Sequence, residues 1–259
     1  MDLGIEGRKA IVCAASAGLG FACANQLAAE GVDVTIIARR DGPLQAAAET
    51  IRSAHECNVT AVAGDITSEE GRAAVLDACP NPDILVNNAG GPPPGSFRDW
   101  GRDDWIDAVD SNMISPILMI KATVDGMIER RFGRIVNITS GAVKAPIPTL
   151  GLSNGARAGL TGFVAGLARQ VAEHNVTINN LMPGPFATAR LEKTLEGAAK
   201  AGGIDIEEAR KRRRNSIPAR RFGDPDEFGL ACAYLCAARS GYVTGQSLLL
   251  DGGSFPGML

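Results

Sequence analysis

The sequence predicts an α/β protein built on one doubly wound, seven-stranded parallel sheet with helices on both faces. Two observations carry this expectation. Seven short apolar runs alternate with longer amphipathic segments from end to end, the rhythm of strands joined by helical crossovers. Each run is almost continuously apolar and rich in Val and Ile, as strands covered on both faces must be.

The strands are expected at 9–15 (KAIVCAA), 33–39 (DVTIIAR), 59–65 (VTAVAGD), 83–89 (DILVNNA), 134–140 (RIVNITS), 176–183 (VTINNLMP) and 247–252 (SLLLDG). Helical patterns fill the gaps, as at 20–31 and 156–175. The run GGPPPG at 90–95 is a loop, because consecutive prolines suit neither a helix nor a central strand. It follows a strand end, where open α/β sheets bind ligands. No internal repeat or low-complexity linker interrupts the pattern, so residues 1–259 are read as a single dinucleotide-binding domain. Residues 185–222 are polar and charged, and are read either as a movable lid over a pocket or as a solvated helix pair.

Composition narrows the function. A net charge of -3 favours neither nucleic acid nor an anionic membrane surface as a partner. No apolar stretch approaches the roughly 20 residues that span a bilayer. The N-terminus lacks the basic-then-apolar pattern of a signal peptide, so the expected location is the cytoplasm. Six cysteines are scattered without a CxxC pair, and His55 and His174 are the only histidines, so no metal site is expected.

The turn CAASAGLGFA follows the first strand and opens the first helix, the context of a Rossmann-like dinucleotide site. Gly18 and Gly20 would let the backbone approach a pyrophosphate held at the helix N-terminus, and Ala14 stands in the place of the first glycine. The second strand ends Ala38-Arg39-Arg40, where an acidic residue would normally meet a free ribose 2′-hydroxyl. Two guanidinium groups there favour a 2′-phosphate, so NADP(H) is expected over NAD(H).

Several motifs, in order and over essentially the whole chain, resemble the short-chain dehydrogenase/reductase family, and within it the β-ketoacyl-ACP reductases. CAASAGLG resembles the family's TGxxxGxG, NNAG (87–90) its fourth-strand motif, NITS (137–140) the strand ending on its catalytic serine, and MPGPFAT (182–188) its nicotinamide loop. RRFGDPDE and VTGQSLLLDGG match its C-terminal part. The resemblance implies a cofactor site made by Ala14, Ser16, Gly18, Leu19, Gly20, Arg39, Arg40, Asp65, Ile66, Asn88, Ala89, Gly90, Arg157, Pro183, Gly184 and Thr188. Asp65 would lie beside the adenine and Thr188 would bond the carboxamide. It also implies a homotetramer packed through helices around 103–130 and 156–174. An acidic acyl carrier would dock on basic residues such as Arg130, Arg131 and Arg169.

One stretch, LGLSNGARAGL (150–160), departs from the pattern. The family places a tyrosine thirteen residues after the serine and a lysine four beyond it; counted from Ser140, these positions hold Ser153 and Arg157. A serine hydroxyl is far less acidic than a phenol. Arg157 keeps a positive charge and would still hold the ribose, and Asn112 would support a water relay. Lys144, in the loop after the serine strand, is a candidate proton donor, or else a solvent-facing lysine. The expected catalytic set is Ser140, Ser153, Arg157, Asn112 and Lys144. The expected activity is that of an NADP(H)-dependent oxidoreductase, 3-oxoacyl-ACP reductase-like, on a small-molecule or acyl-carrier-linked substrate. A cofactor-binding sensor or inactive subunit, and an enoyl-type reductase or isomerase, remain alternatives.

Overall fold

The computed structural model describes residues 2–257. Its strands are β1 (Lys9–Cys13), β2 (Asp33–Ala38), β3 (Val59–Ala63), β4 (Ile84–Asn87), β5 (Gly133–Ile138), β6 (Val176–Pro183) and β7 (Ser247–Leu250). They form one parallel sheet in the order β3-β2-β1-β4-β5-β6-β7. The predicted architecture is therefore observed. Most strands stop one to three residues short of the apolar run that announced them, because their C-terminal ends leave the ladder and turn into the site.

Helices cover both faces: α1 (Gly18–Ala29), α2 (Asp41–Ala54), α3 (Glu69–Ala78), α4 (Arg102–Val109), α5 (Ser115–Glu129), α6 (Gly151–Val171), α7 (Ala189–Gly202), α8 (Ile206–Asn215) and α9 (Pro225–Cys236). Alternation along the strands sorts the core. Val12 and Ile36 pack with Leu27 of α1, Leu44 of α2 and Phe228 of α9. Their neighbours Ile11 and Ile37 pack on the other face with Val75 of α3, Met119 of α5 and Leu160 of α6. Strand order reverses between β1 and β4, which opens a crevice at their C-terminal ends. Residues 185–222 fold largely as the helix pair α7 and α8, capped by the Thr188 and Asp205 side chains. No helix among the described residues is long and apolar enough to cross a membrane.

A ladder of side-chain amides crosses the middle of the sheet. Asn87, Asn137, Asn180 and Ser247 sit opposite one another on four adjacent strands. Asn87 Nδ2 donates to Asn137 Oδ1 at 2.9 Å, Asn137 Nδ2 to Asn180 Oδ1 at 3.4 Å, and Asn180 Nδ2 to Ser247 Oγ at 3.1 Å. The three asparagines are buried, so each amide depends on its neighbour for a partner. This fixes the register of β4 to β7, since a one-residue slip would point every amide to the opposite face.

Two outcomes are expected. Asn137→Leu orphans an amide on each side and should lower unfolding free energy by about 2–4 kcal/mol in chemical denaturation, with the m-value unchanged. Among the six cysteines only Cys57 is not buried, and burial pushes the Cys13 thiol up to about 12. Native protein at pH 8 should therefore give one fast thiol with Ellman's reagent and six after unfolding in guanidinium.

Candidate active site

Two cavities meet in the crevice. The outer one, about 900 Å³, is lined by Ala14, Ser16, Arg39, Arg40, Asp65, Ile66 and Gly90 among others. The inner one, about 400 Å³, is lined by Leu19, Asn88, Ser140, Ser153, Arg157, Pro183, Gly184 and Thr188 among others. Ala89 and Gly91 border both. The sequence-predicted residues are thus brought together with four exceptions, since Gly18, Gly20, Asn112 and Lys144 line neither cavity.

The two glycines act from behind. A Cβ on Gly20 would lie 2.5 Å from the Ala14 carbonyl oxygen and 2.8 Å from Asn88 Nδ2. Asn88 Nδ2 donates to that same carbonyl at 3.3 Å, so Gly20 leaves room for the bond that pins the turn. Gly18 has φ +61°, and Ala14 has φ +48°, a left-handed conformation that disfavours a side chain. The family's first glycine would sit there without strain. Helix α1 has no side-chain cap and no acidic residue in its first turn, so its free N–H groups and positive end are available to a diphosphate. The residues present fit a nicotinamide dinucleotide, whose phosphates α1 would hold, with Asp65 and Arg39 available to the adenosine and Ser140 and Thr188 to the nicotinamide.

Ser153 and Arg157 lie one turn apart on α6, and both are buried on the face turned to the sheet. The Arg157 guanidinium donates to the Ile138 carbonyl at 2.6 Å and to the Ala89 carbonyl at 3.3 Å. It therefore ties together the chain ends that leave β5 and β4. Full burial, with a smaller contribution from nearby Arg190, brings its pKa down to about 10, which still leaves it charged at neutral pH. The Ser140 hydroxyl accepts the Ala142 N–H at 3.1 Å, which fixes its direction. Beside it, Thr139 is buried on the cavity wall with its hydroxyl unpartnered.

Asn112 sits in a π-helical turn (Asp110–Ile114) between α4 and α5. Its Nδ2 donates to Ser111 Oγ at 2.7 Å while its buried Oδ1 has no partner. Such turns recur at functional positions, and an orphaned acceptor is a place for water. Lys144 is exposed and does not line the cavity, with its Nζ 5.8 Å from the centre of the Phe255 ring. Tyr234 is half exposed and Tyr242 fully exposed, both outside the cavities. No group of three His, Cys, Asp or Glu side chains among the described residues could hold a metal ion.

Arg190 and Phe255 also line the inner cavity and escaped sequence reasoning, whereas Arg213, which lines it too, belongs to the basic run RKRRR (210–214) that the sequence offers as charge for an anionic substrate. The one available signal was the place of Arg190, two residues after Thr188 and one position into α7.

The fold, the glycine turn and the paired cavities define a Rossmann-type oxidoreductase site for a nicotinamide dinucleotide. Residues 13–254 match the sequence family described as Enoyl-(Acyl carrier protein) reductase. The chain is 32% identical to the 3-oxoacyl-(acyl-carrier-protein) reductase FabG of Vibrio harveyi, over 98% of this chain and 99% of that protein. It is 31% identical to the NADPH-dependent reductase BacG of Bacillus subtilis, over 95% and 97% of the two chains. Among solved structures, L-sorbose reductase from Gluconobacter frateurii, complexed with NADPH and L-sorbose, superposes with a TM-score of 0.94 at 28% identity, covering all of both chains. The chain belongs to the short-chain dehydrogenase/reductase family.

Two substitutions probe the turn. Ala14→Gly should raise stability by about 0.5–1 kcal/mol, since relief of the left-handed strain outweighs the added freedom of the unfolded chain; thermal melting measures it. Gly20→Ala should weaken dinucleotide binding by at least about tenfold in calorimetry, because the close approach at Ala14 is lost.

Proposed function

We propose that the protein is an NADP(H)-dependent oxidoreductase of the 3-oxoacyl-ACP reductase type with an altered catalytic site. The observation that carries this reading is the joined pair of cavities, with Arg39 and Arg40 on the outer rim and Ser140, Ser153 and Arg157 around the inner end. The two guanidinium groups would take a 2′-phosphate by charge-assisted hydrogen bonds. Bound in the inner cavity, the nicotinamide would supply a hydride.

Each protein group then has a defined task. Ser140, oriented by the Ala142 N–H, donates its proton toward the substrate oxygen. Ser153 offers a second hydroxyl from α6. Arg157 holds positive charge where a lysine would stand, which stabilises a developing oxyanion without donating the final proton. That proton comes from water, for which the free Asn112 Oδ1 is a station. Helices α7 and α8 act as a lid, and the cofactor and substrate enter beneath them.

A second reading, reduction of a carbon–carbon double bond, is favoured by the lining itself. Among the described residues the inner cavity contains no Tyr, His or Lys, and an enolate needs no acid of matched pKa because it can collect its proton from solvent. We place the protein in the cytoplasm as a homotetramer. The large apolar side chains Trp105 and Ile106 on α4, with Phe163 on α6, are exposed on the helices that would pack, which supports that assembly.

Calorimetry should show NADPH binding at least about tenfold more tightly than NADH, with Arg39→Ala/Arg40→Ala erasing the preference. Equal affinity for the two cofactors would remove the NADP(H) assignment. The double substitution Ser153→Tyr/Arg157→Lys should gain NADPH oxidation with acetoacetyl-CoA over the native protein. A native protein that binds NADPH yet turns over no carbonyl or enoyl compound in a broad screen would be a binding protein rather than an enzyme.

A further inference from the structure

The charges around the inner cavity do not balance. Three arginines line it, Arg157 at its buried end, Arg190 from α7 and Arg213 from α8. Among the described residues none of the three makes an ion pair. The carboxylates nearest in sequence are already taken. Glu192 and Glu207 both pair with Arg210, and Glu208 pairs with Arg212. These glutamates therefore neutralise Arg210 and Arg212, while among the described residues Arg190 and Arg213 have no carboxylate partner and Arg213 donates only to the Ser216 hydroxyl, at 3.2 Å.

One carboxylate lines the same cavity, Asp251, and it is occupied. Its oxygens accept the main-chain N–H groups of Gly253 at 2.9 Å and Phe255 at 2.7 Å, which holds the C-terminal turn. Arg190 leans the other way. It donates to the Gly91 carbonyl at 3.3 Å, and its Nη2 lies only 2.7 Å from where a Cβ on Gly91 would be. The absence of a side chain at Gly91 thus lets this guanidinium fold over the cavity mouth. It is also close enough to Arg157 for each charge to oppose the other. Like charges gathered at a partly desolvated site without a counter-ion cost free energy, which an entering anion offsets.

The diphosphate of the cofactor does not fill this role. Its place is at the N-terminus of α1, from which only Leu19 reaches the inner cavity. Arg213 lines the inner cavity together with Arg190, Thr194, Ser254 and Phe255. The same lining offers apolar surface in Ile147, Leu150, Leu191 and Phe255.

We propose that the inner cavity takes a free carboxylic acid, its carboxylate held by Arg190 and Arg213 and its apolar chain along Ile147, Leu150 and Leu191. This rests on the nicotinamide oxidoreductase reading above and replaces its acyl-carrier substrate with a free acid. The substrate is a small oxo or unsaturated acid rather than a neutral acyl thioester, with its reacting carbon toward Ser140 and Arg157. A carboxylate accepts two parallel N–H donors from a guanidinium, a geometry that an amide or ester cannot match.

Octanoate and octanamide have nearly the same shape and differ in charge, so they serve as probes. Their affinities are measured by calorimetry on the full chain, with and without saturating NADPH, for the native protein and for Arg190→Gln, Arg213→Gln and the double variant. Both side chains are exposed, so folding is not at risk, and Arg102→Gln on α4 controls for net charge. Octanoate is expected to bind the NADPH-loaded protein about tenfold more tightly than octanamide. Each single variant should weaken octanoate several-fold, and the double variant should bind both probes alike with octanamide unchanged. Equal binding of the two probes by native protein, no detectable binding of either at millimolar concentration, or a preference that survives in the double variant overturns the proposal. So does a double variant that loses NADPH affinity while keeping its octanoate preference, which would assign the arginines to the cofactor. The octanoate preference in a native protein that binds no NADPH would sink the oxidoreductase reading and leave the acid site standing.

Discussion

The amide ladder across β4, β5, β6 and β7 is the constraint on which the site depends. Parallel strands carry little intrinsic register beyond their hydrophobic pattern, and a buried amide without a partner costs more than most single contacts contribute. Asn87, Asn137 and Asn180 satisfy one another only when the strands are aligned as they are. Two to four residues further along the chain from these asparagines stand Ala89, Thr139, Ser140, Pro183 and Gly184, all on the inner cavity wall. The geometry of the reacting end is thus set beneath it, by groups that never touch a ligand.

Arg157 extends that arrangement upward. Its bonds to the Ile138 and Ala89 carbonyls bind α6 to the two strand ends just above the ladder. An ammonium at this position would have three donors and a shorter reach, whereas the planar guanidinium can span two carbonyls and keep its charge at the cavity. The residue serves structure and electrostatics together. That double role explains why a side chain so fully buried is tolerated without a carboxylate partner.

Arg157, Arg190 and Arg213 come from three helices, and α7 and α8 belong to a segment whose composition alone fitted either a lid or a solvated surface. Its residues divide between glutamate pairs and the cavity lining. Arg210 and Arg212 are solvated and paired with glutamates, while Arg190, Leu191, Thr194 and Arg213 turn inward. Successive helix residues turn to different sides, so the run RKRRR spreads its charges around α8 and does not gather them on one face.

The sequence by itself determined the seven strands, their parallel pairing, the glycine turn and part of the cavity walls. Local rules suffice for these: doubly covered strands must be apolar, and a turn at a strand end needs small residues. It also placed Ser153 and Arg157 on one helical face, because a spacing of four is enough for that. Only the tertiary structure decided which charges share a cavity. Lys144 stands one turn from Ser140 in the chain yet does not line the inner cavity, while Arg190 and Arg213, more than forty residues further on than Lys144, do. Pattern fixes which side of an element is buried, but which partners the remaining polar groups meet depends on long-range packing that no local spacing encodes.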